Sequence, residues 1–357
     1  MTGKQRLQCA LRHQEPDMVP IFECVYSRPL FQEVLGYVPE TFDPVSVYTC
    51  SQKIGYDFVF IPIPGVSGFR PEGETREIYV DEWSITRKQV PTTWPIDAGI
   101  KTPLEDGEDW KNFTMPDPRE PFRYTGLRDV LKLAQESGMG VIGNVRGPYS
   151  AAWQLFGMEN FDCMLFEEPE TIHACLTAMT DFALTSAEIM IQMGVDAMLY
   201  SDDYGSGTQP LMSPKHFQEF LVPQLTRICA KTKQLGSIPL LHCDGAINPL
   251  LPDIMSTGIE GLHPLERAAG MDLAAVKKAY GDKVCLFGNI DNKELLLKGT
   301  KADIESQVRE CIETAAPGGG FCLGSDHSVH DDLPNENVFA LYEAGRKYGS
   351  YPIGKGK

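Results

Sequence analysis

Eight short apolar runs, each breaking off into polar or titratable residues, constrain this chain more than any other feature. They are residues 19–22, ending at Glu23; 57–61; 139–142, leading to Asn144 and Arg146; and 197–200, running into Asp202 and Asp203. The rest are 240–241, ending in His242-Cys243-Asp244-Gly245; 261–263, leading to Glu266; 284–287, leading to Asn289 and Asp291; and 321–323, leading to Asp326 and His327. Runs this short, apolar on consecutive positions, fit strands buried on both faces. Burying so many ionisable groups beside them is costly unless they are paired or bound to something.

From about Asp129 onward these runs alternate with helical patterns, the signature of repeated βα units. Ile172, Leu176, Met179, Ala183, Ile189 and Met193 keep helical spacing up to Gly194, with Pro169 in the first turn. Ser213 and Pro214 open a second helix that closes at Gly236, and Pro223 inside it predicts a kink. Residues 271–280 and 302–315 supply two more. Eight such units predict an α/β fold, a single (β/α)8 TIM barrel spanning residues 1–357, whose strand ends all face one mouth. Residues 65–128 break the rhythm with a hairpin pattern at 77–87 and then proline-rich chain. A long insertion after the second strand is expected to lie over the mouth as a lid.

Composition narrows the partners. The net charge of −17 argues against nucleic acid and anionic membranes, which need a concentrated basic patch. No apolar stretch reads as a membrane span, and the N-terminus lacks the apolar core of a signal peptide, so a cytoplasmic protein is expected. Ten cysteines without a CxxC pair read as reduced thiols, a load that an anaerobic organism tolerates easily. The sequence leaves a homodimer open.

Closure of the barrel would gather Glu23, Asn144, Asp202, His242, Asp244, Glu266, Asp291 and His327 around one cavity. Here the chain resembles the uroporphyrinogen decarboxylase superfamily, which holds porphyrinogen decarboxylases and corrinoid- and cobalamin-dependent methyltransferases. The resemblance rests on Ser201-Asp202-Asp203, Leu211-Met-Ser-Pro214, His242-Cys-Asp-Gly245 and Gly261-Leu-His-Pro-Leu-Glu266. Ala269-Gly-Met-Asp-Leu273, Phe287-Gly-Asn-Ile-Asp291 and Gly318-Gly-Gly-Phe321 extend it. In the decarboxylases an arginine-rich N-terminal segment grips substrate carboxylates, and an aspartate at the end of the second strand holds the pyrroles. This chain has a lone Arg28 in the first place and Pro62-Ile-Pro-Gly65 in the second. The methyltransferase branch is the better match. Its members bind zinc through a His-x-Cys pair after strand five and a cysteine after strand eight; here His242, Asp244 and His327 take those places.

The resemblance therefore implies a methyltransferase that moves a methyl group from a small donor to the Co(I) corrinoid of a separate protein. The chain has no Asp-x-His-x-x-Gly corrinoid motif of its own. His242, Asp244, His327 and Asp202 are the expected catalytic residues, with zinc expected on the first three. Glu23, Tyr26, Asn144, Arg146, Asp203 and Glu266 are expected to bind substrate. Phe22, Tyr26, Phe69, Trp83 and Trp94 favour a methoxylated aromatic donor, hence O-demethylation in anaerobic one-carbon metabolism. A lyase of the decarboxylase kind and a non-catalytic, ligand-binding barrel are the alternatives.

Overall fold

The computed structural model describes residues 1–354. The strands are β1 (Val25–Tyr26), β2 (Phe58–Pro62), β3 (Ile78–Val80), β4 (Thr86–Lys88), β5 (Ala98–Lys101) and β6 (Gly140–Arg146). They continue as β7 (Ala197–Ser201), β8 (Pro239–His242), β9 (Gly261–His263), β10 (Cys285–Ile290), β11 (Phe321–Ser325) and β12 (Val329–His330). Seven form a curled parallel sheet in the order β11-β10-β9-β8-β7-β6-β2. Seven of the eight expected strands are therefore present, in sequence order around the sheet.

The run at 19–22 forms no regular strand. Pro20 has no N–H to give to a ladder. The N–H of Ile21, which would face β2, donates instead to the Asp57 carboxylate at 2.8 Å. The segment still lies between the two edge strands. Leu323 donates to Pro20 O at 2.9 Å, Phe22 donates to Leu323 O at 3.1 Å, and Asp57 N donates to Ile21 O at 2.8 Å. Arg6 and Arg346 each reach the buried Asp57 at 2.9 Å and neutralise it at this seam.

Strand side chains alternate between faces. Phe58, Phe60, Ile142, Ala197, Leu199, Leu240, Cys285, Phe287 and Cys322 form one inner cluster, joined by Leu7, Ala10 and Leu11 of the helix Gly3–Leu11. The other side of the sheet packs on the surrounding helices. Continuing the inward series along each strand brings Asn144 and Arg146 of β6, Ser201 of β7, His242 of β8 and His263 of β9 to the C-terminal end. Core and site are thus two stretches of one alternation.

The helix Pro169–Met193 starts at its proline and ends on Gly194 in the left-handed conformation, φ 104°. It is long and apolar enough to cross a membrane by length and composition, contrary to the sequence reading. Ile172, Leu176, Met179 and Ala183 are nonetheless buried in the core, against the helices Pro148–Phe156 and Val222–Gln234. The predicted kink at Pro223 takes the form of a π-helical stretch, Phe217–Leu221, before that last helix. Proline cannot donate to the carbonyl one turn back, so the ladder is interrupted there. Residues 65–128 hold the expected hairpin, β3 with β4, plus a third antiparallel strand, β5.

Candidate active site

β8 and its neighbours set the geometry. His242 pairs in register with Ser201 of β7 and His263 of β9. His242 Nε2 stands 3.5 Å from Asp203 Oδ1 and 3.5 Å from Asp244 Oδ2. These three residues offer ligand atoms that all lie within 4.8 Å of one another. His327 Nε2 is 3.4 Å from Asp244 Oδ2 and, at 47% exposure, is open to solvent. His242, Asp244 and His327 therefore do meet, with Asp244 in the middle, but the tightest group is Asp203, His242 and Asp244. Adjacency of β7 and β8 brings Asp203 in; His327 reaches across from beyond β11.

Burial opposes a charged imidazole on His242, yet Asp244 and Asp203 outweigh it and raise its pKa. Burial likewise opposes ionisation of Asp244, and His242 with His327 and His263 still holds its pKa below the ordinary range. Each group thus favours the charged form of the other. Asp244 Oδ1 is buried with no hydrogen-bond partner. Such an orphaned oxygen is costly, and beside an imidazole and a second carboxylate it fits a divalent cation.

His263 is the residue the sequence reading missed. Its Nδ1 lies 2.6 Å from His242 Nδ1. The ring is 2% exposed, with Phe22 and Phe60 at 5.5 and 5.3 Å between centroids. Burial and the neighbouring His242 push its pKa well down, so it is neutral. Its place at a strand end, one register step from His242, was the available signal.

Other expected site residues turn out to be supports. Asp202 is fully buried, and its carboxylate accepts from Tyr149 N at 3.2 Å, Ser150 N at 2.6 Å and the Tyr204 hydroxyl at 2.8 Å. It caps the N-terminus of the helix Pro148–Phe156, and burial raises its pKa to about 6. A catalytic position facing substrate does not fit that burial. Glu23, expected to bind substrate, is 2% exposed and accepts from Ser325 N at 2.8 Å; burial pushes its pKa to about 8. Glu266 spends one oxygen on Gly245 N at 2.9 Å and the other on Lys293, pinning the turn that carries Asp244. Asp291 caps the following turn through Glu294 N at 2.9 Å.

Asn144 accepts from the Ser201 hydroxyl at 2.8 Å, and Arg146 stands 3.6 Å from Asp203. Among the aromatics, Tyr26 meets Phe69 with 6.2 Å between centroids. Phe22 belongs to the inner cluster, Trp83 packs on Phe182 and Trp94 on Phe31. Cys243 lies beneath the turn, accepting from Tyr204 N at 3.2 Å. All ten cysteines are free.

The family profile described as uroporphyrinogen decarboxylase (URO-D) matches residues 97–348. The chain belongs to the uroporphyrinogen decarboxylase family. Within it, the chain is 28% identical over 229 residues to the methylcobamide:CoM methyltransferase MtaA of Methanosarcina barkeri, 63% of this chain and 64% of that protein. The match thus spans just under two thirds of that relative. It is 24% identical over 284 residues to a uroporphyrinogen decarboxylase of Coxiella burnetii, covering 75% and 74% of the two chains. Among solved structures, a methyltransferase from Methanosarcina mazei superposes with a TM-score of 0.77 at 21% identity, over 98% of this chain and 99% of that one. That likeness shows a shared fold.

Proposed function

We propose that the chain is a single closed barrel whose mouth transfers a methyl group from a small donor to the Co(I) corrinoid of a separate protein. A methoxylated aromatic compound is the favoured donor. The observation that carries this reading is the Asp203, His242 and Asp244 cluster at the C-terminal end of the sheet. Zinc is the proposed metal, held by His242 and Asp244 with Asp203; when bound it supplies a Lewis acid for the donor's heteroatom. The insertion at 65–128 is proposed as a lid, since its Phe69 reaches Tyr26 beside the strand ends.

The chain's own residues then divide the work. As the methyl group passes to the partner's Co(I), the donor's carbon–oxygen bond would break with its electrons left on oxygen, and this chain would have to stabilise that charge. His327, the most open of the three histidines, delivers a proton from Nε2 to the departing oxygen. Asp244, 3.4 Å away, orients the His327 ring. His263 fixes the ring of His242 through the Nδ1 contact.

The decarboxylase alternative is weaker on charge. Substrates of that branch carry eight carboxylates, whereas Arg28 is already paired with Asp331 through Nε at 2.6 Å. Incubating the protein with a reduced corrinoid protein and a panel of ether, amine, alcohol and thiol donors tests the reading. Appearance of the methylcobalamin spectrum is expected. Its absence with every donor, or decarboxylation of a porphyrinogen without corrinoid, overturns it.

A further inference from the structure

Arg146 ends β6 at the mouth, where a cation among carboxylates is expected to be fully engaged. It is not. Nη1 is 3.6 Å from Asp203 Oδ2, beyond direct hydrogen-bonding distance, and Nε is buried with no partner. Trp83, from the insertion, is 1% exposed, and its Nε1 is also buried with no partner. Both residues line the same cavity, whose other walls include Val66, Val145, Met179 and Phe182. Two orphaned N–H donors in one apolar cavity are unfavourable unless an acceptor arrives.

We infer that Arg146 and Trp83 form a carboxylate-recognition site, and that the methyl donor is an anion held by this end. The inference rests on the methyl-transfer reading only for what the ligand does once bound. A carboxylate oxygen can accept from both N–H groups, whereas a neutral amide offers a weaker acceptor and no charge. The free cavity measures about 20 Å³, room for a water-sized group such as one carboxylate oxygen and not for a whole donor. The remainder of the donor is left on the mouth side of Arg146, toward Asp203 and His242. Trp83 thereby gives the insertion a direct part in choosing substrate.

The test is binding, measured calorimetrically without corrinoid, so that it stands apart from methyl transfer. Acetate, methoxyacetate, benzoate and 4-methoxybenzoate are each compared with the matching amide on the wild type, Trp83→Phe, Arg146→Lys and Arg146→Gln. Trp83→Phe keeps an aromatic ring beside Phe182 and removes the N–H together with the five-membered ring that carries it. At least one acid should bind ten times more tightly than its amide. That preference should shrink about 3-fold in Trp83→Phe and vanish in Arg146→Gln, with Arg146→Lys between them. No preference for any acid in the wild type, or a preference that survives both Trp83→Phe and Arg146→Gln, means the cavity holds water only and overturns the inference. Tight acid binding without methyl transfer would instead leave this site standing and defeat the functional reading.

Discussion

His242 and His263 meet through their Nδ1 atoms at 2.6 Å, on adjacent parallel strands. Only one proton fits between them. With His263 held neutral, His242 is the donor at Nδ1, and its Nε2 is the atom turned toward Asp203 and Asp244. An imidazole that ligates through one nitrogen and donates through the other depends on its acceptor. His263→Leu should therefore weaken zinc binding roughly 10- to 100-fold, measured by competition with a chromophoric chelator. His263→Asn, which retains an acceptor, should recover part of it. Equal affinity in all three proteins would remove His263 from the site.

Glu23 makes stability depend on pH. The Ser325 hydroxyl is 2.5 Å from both Glu23 Oε2 and His327 O, and it has one hydrogen to give. A protonated Glu23 that donates to Ser325 Oγ satisfies both contacts. In the folded chain Glu23 keeps its proton up to about pH 8, whereas unfolded it loses it near 4.5. Its contribution is fully present below the unfolded value and is lost as pH rises toward 8, at up to about 1.4 kcal/mol per pH unit. Asp202 and Asp326 are also raised, to about 6, so the window from pH 6 to 8 isolates Glu23 among the three. Urea melts of Glu23→Gln should show a flatter decline there than the wild type. Parallel curves would mean that Glu23 is ionised in the folded protein.

Asp202 should act on stability first. Asp202→Ala strands two helix N–H groups and the Tyr204 hydroxyl in a buried place, at about 1–3 kcal/mol for each group left unsatisfied. A loss of at least about 3 kcal/mol in urea melts is expected. A variant as stable as the wild type but inactive would return Asp202 to the catalytic group.

Much of this was legible in the sequence because strand ends are marked by an abrupt change of chemistry. Seven of eight runs are strands, and His242, Asp244 and His327 meet despite their separation along the chain. Two things were not legible. Pro20 and the Asp57 carboxylate replace the first strand's ladder, a side-chain substitution that apolar patterning does not reveal. Register decides the rest: alternation turns His263 to the same face as His242, and the β7–β8 pairing brings Asp203 nearer to His242 Nε2 than its neighbour Asp202. Polar strand-end residues look alike until the pairing separates Asp202, capping a helix, from Asp203, facing the site.

The most direct measurement of the central claim is methyl transfer to a Co(I) corrinoid protein by the wild type and by His242→Ala, with melting temperatures from the same preparations. Truncating His242 leaves His263 Nδ1 and Asp244 without their partner, so a loss of about 1–3 kcal/mol with the fold retained is expected. Loss of its electrostatic contribution should slow transfer roughly 10²- to 10³-fold. A slow, folded variant is the predicted result. Unchanged transfer in His242→Ala would contradict the account.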